Sequence, residues 1–155
     1  MRISSKVDYG LRAMAELASR DPAAPCRAEE ISKAQGIPVT FLLGILAELK
    51  KAHLVRSHRG RVGGYSLAGS AEEITLADVA RALEGPLANV HDQSLRTLRY
   101  PGPAQALPSV WMAVRTSLRD VLETVTIAQL AQGKLPAPVK GMAKRYQTEQ
   151  RRRER

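Results

Sequence analysis

Between Lys50 and Arg61 the chain carries five Lys or Arg residues, two His and no acidic residue. Cations at that density neutralise phosphates, and Lys50, Lys51, Arg56, Arg59 and Arg61 are spaced to line both sides of a nucleic-acid groove. A solvated protein surface can look the same, so the surrounding elements must decide between the two. The other residue with chemistry of its own is Cys26, the single cysteine. It cannot form an internal disulfide and cannot hold a metal alone. Beside Arg27 and just ahead of a helix it is a candidate redox switch, with an inert packed thiol as the alternative. There is no phosphate-binding Gly-Lys loop, dinucleotide fingerprint, His-Glu-x-x-His zinc motif or G-x-S-x-G elbow, so no enzymatic activity is expected.

The elements that would position the cations follow from periodicity. Val7, Leu11, Met14, Ala15 and Ala18 recur at helical spacing over residues 5–19, with Ser5 and Asp8 matching a capping box and Asp21-Pro22 as a stop. Ala28 to Gln35 fits a second short helix with Ala28, Ile31 and Ala34 on one face, ended by Gly36. From Val39 to Ala52, Leu42, Ile45, Leu46 and Leu49 form a buried stripe that leaves Thr40, Leu43, Ala47, Lys50 and Lys51 outside it. The period then changes: residues 54–58 and 65–67 are short β-prone runs around a Gly-rich basic tip, a hairpin. Three helices followed by a hairpin make a winged helix-turn-helix, and the basic run falls where double-stranded DNA would lie. The leading residues of the third helix, Thr40, Phe41, Leu43 and Gly44, would face base edges. Phe41 has a core position as its alternative. Gly44 costs about 1 kcal/mol relative to Ala in a helix and permits close approach. Arg59 and Arg61, flanking Gly60, suit a narrow minor groove.

Thr75 and Asp78 again match a capping box, and Leu76, Val79, Ala80 and Leu83 share one face before Gly85-Pro86. Residues 86–108 are rich in Pro and read as an irregular connection. Beyond them Trp111, Val114, Leu118, Val121, Leu122 and Val125 mark a long amphipathic helix with nothing left to pack on, so a second copy is the expected mate and these six its interface. Thr126 to Gln132 fits a last short helix. The fold class is therefore mainly α with a small β-hairpin wing, a winged helix-turn-helix plus a long dimerisation helix. The expected division is 1–85 for DNA binding, 86–108 for the connection, 109–135 for the dimerisation and short terminal helices, and 136–155 for a basic, disordered tail.

A chain of 155 residues, 44% hydrophobic, supports one domain with an extension, and an aromatic content of only 4% favours a helical core of Leu, Val, Ile and Ala. Residues 140–155 hold seven basic and two acidic residues and so +5 of the formal +9 charge, which is why net charge alone says little about function. With no signal peptide and no run approaching the roughly 18–20 apolar residues of a membrane span, a cytoplasmic protein without a membrane partner is expected.

The chain resembles the Rrf-two family of bacterial winged helix-turn-helix transcriptional regulators. The resemblance rests on the opening Met1 to Met14, on Ile31 to Pro38 (ISKAQGIP), on Leu54 to Leu67 (LVRSHRGRVGGYSL), on Ile74 to Val79 (ITLADV), on Trp111, and on Thr126 to Leu130 (TIAQL). It implies a homodimer crossing its long helices, two recognition helices on a pseudo-palindromic operator, and DNA contacts at Thr40, Phe41, Leu43, Arg59 and Gly60. At Leu43 a relative carries an acidic reader, so the base preference should differ. Cluster-binding members carry three cysteines in the connection, here 86–108, which has none. His91 there cannot replace them, and Asp8, at the place of a non-cysteine ligand, is explained by its cap. No iron-sulfur cluster and no metal are therefore expected. The expected function is a cluster-free regulator, repressing as a homodimer, with a small-molecule or protein effector near the connection and long helix. The rival is a basic adaptor, tethered to nucleic acid and holding another protein through its long helix.

Overall fold

The computed structural model describes residues 3–87 and 94–154, so residues 88–93 of the connection, His91 among them, lie outside that description. Helix α1 (Ser5–Ala18) begins on Ser4, whose hydroxyl accepts a hydrogen bond from the Val7 amide at 3.1 Å. The cap expected at Ser5 and Asp8 is thus corrected by one residue. With Ser4 as cap the third helical position is Val7, and the Asp8 carboxylate instead accepts from Arg12 one turn on, at 3.2 Å. Helix α2 (Ala28–Gln35) ends on Gly36 in the left-handed conformation, φ 61°, which glycine adopts without strain. Ala28 and Ile31 are buried, whereas Ala34, expected beside them, is exposed.

Helix α3 (Val39–Lys51) takes Pro38 just before its first turn and stops at His53, a non-glycine residue at φ 58°. Strands β1 (Val55–His58) and β2 (Gly64–Leu67) pair antiparallel, with Val55 opposite Leu67 and His58 opposite Gly64. Helix α4 (Leu76–Glu84) carries the expected box: the Thr75 hydroxyl accepts from the Asp78 amide at 3.1 Å and the Asp78 carboxylate from the Thr75 amide at 2.9 Å. Met14, Ile31, Ile37, Leu42, Ile45, Leu46, Leu49 and Val79 are almost wholly buried, so α3 contributes one full face to the core that α1, α2 and α4 enclose. Lys6 joins three of these helices, reaching the Glu48 carboxylate at 2.7 Å and the Leu83 carbonyl at 2.9 Å.

Leu95 and Leu98 are buried, so the connection contributes to packing where only an irregular loop is expected. Helix α5 (Leu107–Leu122) includes Pro108 in its first turn, and α6 (Ile127–Ala131) starts on a second capping box formed by Thr126 and Gln129. The two boxes lie side by side. Thr75 and Thr126 pair as a bridge, the Leu76 amide donates to the Val125 carbonyl at 3.0 Å, and the Ile127 amide to the Ile74 carbonyl at 2.8 Å. This return of the chain buries Val125 and Ile127 in the N-terminal unit. Val125 is therefore core, a correction to its expected place on the dimer face: the helix ends at Leu122, and the residue enters the bridge.

The basic tail is also corrected. Residues Ala137–Arg153 form a helix, α7, with Pro136 preceding it. Its low apolar content is the signature expected of disorder, but Lys, Arg, Gln, Met and Ala are all good helix formers. Among the described residues no helix is long and apolar enough to cross a membrane.

Candidate nucleic-acid interface

The buried stripe of α3 determines what its other side shows. With Leu42, Ile45, Leu46 and Leu49 turned into the core, Thr40, Phe41, Leu43, Gly44, Ala47, Lys50 and Lys51 are exposed. Phe41 is 50% and Leu43 44% exposed, so Phe41 is not a core residue. Its ring meets Tyr9 of α1 edge to face at 5.8 Å, and the Arg12 guanidinium sits over Tyr9 at 5.4 Å from the ring centre. Tyr9 and Arg12 thus buttress the leading end of α3. Sequence reasoning misses both, because a pairing between two helices leaves no local pattern. The first turn of α3 has neither a side-chain cap nor an acidic residue, so its amides and partial positive charge are open to a phosphate. Gly44 has nothing within contact distance of where a side chain would begin, leaving the helix surface open there.

Past the end of α3, Arg56, Arg59, Gly60 and Arg61 are all exposed on the hairpin. The wing is fixed at its base. The Cys26 amide donates to the Tyr65 carbonyl and the Tyr65 amide to the Cys26 carbonyl, both at 2.8 Å. A β-carbon at Gly64 would come within 2.6 Å of the Cys26 carbonyl oxygen, so only glycine allows this approach. Gly60, at φ 103°, turns the tip. Arg27 donates from its guanidinium to the Arg61 carbonyl at 3.0 Å, tying the wing tip to the start of α2 and adding a cation to the patch that sequence reasoning does not include. The structure thus carries every expected DNA-facing residue on exposed surface of α3 and the hairpin.

The family model described as an iron-dependent transcriptional regulator, Rrf2, matches residues 3–133. The chain belongs to the Rrf2 family. It is 47% identical over 150 residues to Rv1287 of Mycobacterium tuberculosis, named as an HTH-type transcriptional regulator, covering 97% of this chain and 93% of that protein. The structure of CymR, the global cysteine regulator of Bacillus subtilis, superposes with a TM-score of 0.72 at 32% identity, over 85% of this chain and 97% of CymR. That of T. potens IscR gives 0.70 at 32% identity, over 86% and 88%. This Rrf2 member is accordingly a DNA-binding transcriptional regulator with a winged-helix fold, in a family that is not enzymatic.

The thiol of this Rrf2 protein is poorly placed for redox chemistry. Cys26 is 2% exposed. Burial pushes its pKa up, outweighing the Arg20 guanidinium that would lower it. The expected activation by Arg27 is not found: that side chain reaches to the wing, and the Cys26 sulfur faces the Arg27 carbonyl at 3.6 Å. Among the described residues no three His, Cys, Asp or Glu side chains are grouped to share an ion.

Just past the end of α5, Glu123 is bound by Arg119 and by Arg81 of α4, the two guanidinium groups holding its carboxyl below the usual range. Trp111, Val114, Leu118, Val121 and Leu122 are only half-buried, and Val110 and Met112 beside them are exposed at 51% and 39%. The Trp111 indole N–H is shielded from solvent and, among the described residues, meets no acceptor.

Proposed function

We propose that this Rrf2 protein is a homodimeric, cluster-free repressor of the bacterial cytoplasm that reads a pseudo-palindromic operator, one recognition helix per half-site. The observation that carries the reading is the exposed row Thr40, Phe41, Leu43 and Gly44 at the leading end of α3, continued by the cations of the fixed wing. Two such rows related by a two-fold axis fit half-sites about one helical turn, roughly 34–36 Å, apart. Phe41 and Leu43 suit thymine methyl groups, and Thr40 suits a base edge or phosphate. The half-buried stripe of α5 supports a second copy as its mate, with Trp111, Val114, Leu118, Val121 and Leu122 in the interface.

The family description speaks of iron, but the residues present do not fit a thiolate-held cluster: the single thiol lies inside the core with its pKa raised. The switch then belongs to a small molecule or partner protein acting near the connection and α5. Binding assays in excess competitor DNA at physiological salt test the function, together with the mass of the protein in solution. A retained preference for one duplex and a mass twice the 16.9 kDa of the chain are expected. Equal affinity for all duplexes would mean a tether rather than a reader. A monomeric mass, or brown iron-loaded protein purified without oxygen, would overturn the assembly or the cluster-free state respectively.

A further inference from the structure

Helix α7 begins after the family match ends at residue 133, outside the part of the chain that the family model describes. It shares no substantial packing with any other element, and every residue from Gly141 to Glu149 is exposed. At 3.6 residues per turn, Lys140, Lys144, Arg145, Arg151 and Arg152 fall on one side, while Val139, Met142, Ala143 and Tyr146 make a narrow stripe on the other. Within the helix only Glu149 opposes these cations. On the basic side Gly141 leaves a shallow depression of about 350 Å³, bordered by Lys144, Arg145, Thr148, Glu149 and Arg152.

Helix α6, just ahead of α7, packs on α1, the helix whose Tyr9 meets Phe41 at the leading end of α3. Arg12 stacks on Tyr9, which packs on Phe41 of α3, and the same Arg12 lines a groove with Leu130 and Ala131 of α6, just ahead of α7. A helix of this length extends about 25 Å, roughly the rise of seven base pairs of duplex, so its basic face can span several phosphates. A membrane surface suits α7 less well, because its apolar stripe holds few large side chains and a membrane-bound helix needs a broad apolar face.

We infer that α7 is a second, sequence-independent DNA-binding element, its basic face gripping phosphates that flank the operator. This goes beyond the operator reading proposed above, since it concerns affinity and footprint rather than base preference. The test compares the full chain with a full-length variant carrying Lys140→Gln, Lys144→Gln, Arg145→Gln, Arg151→Gln and Arg152→Gln; glutamine keeps helix propensity close to that of the residues replaced. Circular dichroism should show unchanged helicity.

Affinity is measured against salt concentration on a preferred and on a random duplex, with or without about 10 extra base pairs on each side. The slope of log K against log salt should become shallower by about 0.9 for each phosphate no longer neutralised, hence by about 2–4 per subunit, on both duplexes. Longer flanks should strengthen wild-type binding and not that of the variant. An unchanged slope overturns the inference. So does a loss confined to vesicles of anionic phosphatidylserine, which would make α7 a membrane element. Because the random duplex is included, absence of sequence preference would defeat the operator reading and leave this measurement intact.

Discussion

The molecule carries two basic regions of similar charge and opposite support. The run from Lys50 to Arg61 stands on packed structure: α3 is anchored by Leu42, Ile45, Leu46 and Leu49, and the wing by its backbone pairing with Cys26. The cations of α7 stand on a helix with no substantial tertiary packing. Reading bases needs side chains held to fractions of an ångström, whereas neutralising phosphates needs only charge within reach. Scaffolding, not charge, separates a surface able to read sequence from one able only to grip the backbone.

Leu46→Ala, at a fully buried position, should cost about 3 kcal/mol and lower the melting temperature by roughly 6–12 °C, abolishing site preference as the recognition face loosens. Calorimetry and competition binding measure the two effects; an unaffected Tm would show that α3 is not anchored as described. Arg59→Ala at the wing tip should weaken the preferred complex by about 1–2 kcal/mol, a roughly five- to thirtyfold rise in Kd, with the melting temperature unchanged.

A smaller effect comes from Glu16, which accepts from the Gln35 side-chain amide and from Arg20, both at 2.8 Å, tying α1 to α2. Gln35 and Arg20 hold its carboxyl below the ordinary range, although burial opposes them. A depressed folded-state pKa contributes stability above the unfolded value of roughly 4.3, lost as pH falls through the folded value. Glu16→Gln should therefore melt about 1 kcal/mol less stably near neutrality, with the difference shrinking as pH falls below about 4. The smallest effect is expected at Cys26. Cys26→Ala should bind DNA like the parent under oxidising and reducing conditions alike, because the buried thiol has a raised pKa and the pairing with Tyr65 is made by its backbone. A peroxide-sensitive parent beside an insensitive variant would restore the redox switch.

Much of the fold is visible in the one-dimensional pattern where local chemistry carries it. The α3 stripe, the Thr75–Asp78 box and the Gly-rich hairpin each have a spacing that physics reads directly, and the exposed row of α3 follows from its buried one. The first cap slips by one because Ser4 and Ser5 are neighbours and Asp8 suits either a cap or an ion pair with Arg12. Long-range features leave no such trace. Nothing local marks the Cys26–Tyr65 pairing, the bridge that draws Val125 into the core, or the Tyr9–Phe41 stacking. Helix α7 is illegible for the opposite reason: it has local helix propensity, but its apolar stripe is short and sits in a strongly polar run, so it lacks the sustained apolar face by which buried helices are recognised.

Base reading by the exposed leading residues of α3 is open to a direct test. Sequencing host DNA fragments retained by the wild type and by Leu43→Glu, at matched physiological salt, tests it most directly. The wild type should enrich one inverted repeat, and Leu43→Glu, folded to the same helicity, should enrich a repeat altered at symmetric positions within each half-site. Retention of the same repeat by both proteins would remove Leu43 from the reading face, and enrichment of no repeat by the wild type would contradict the claim altogether.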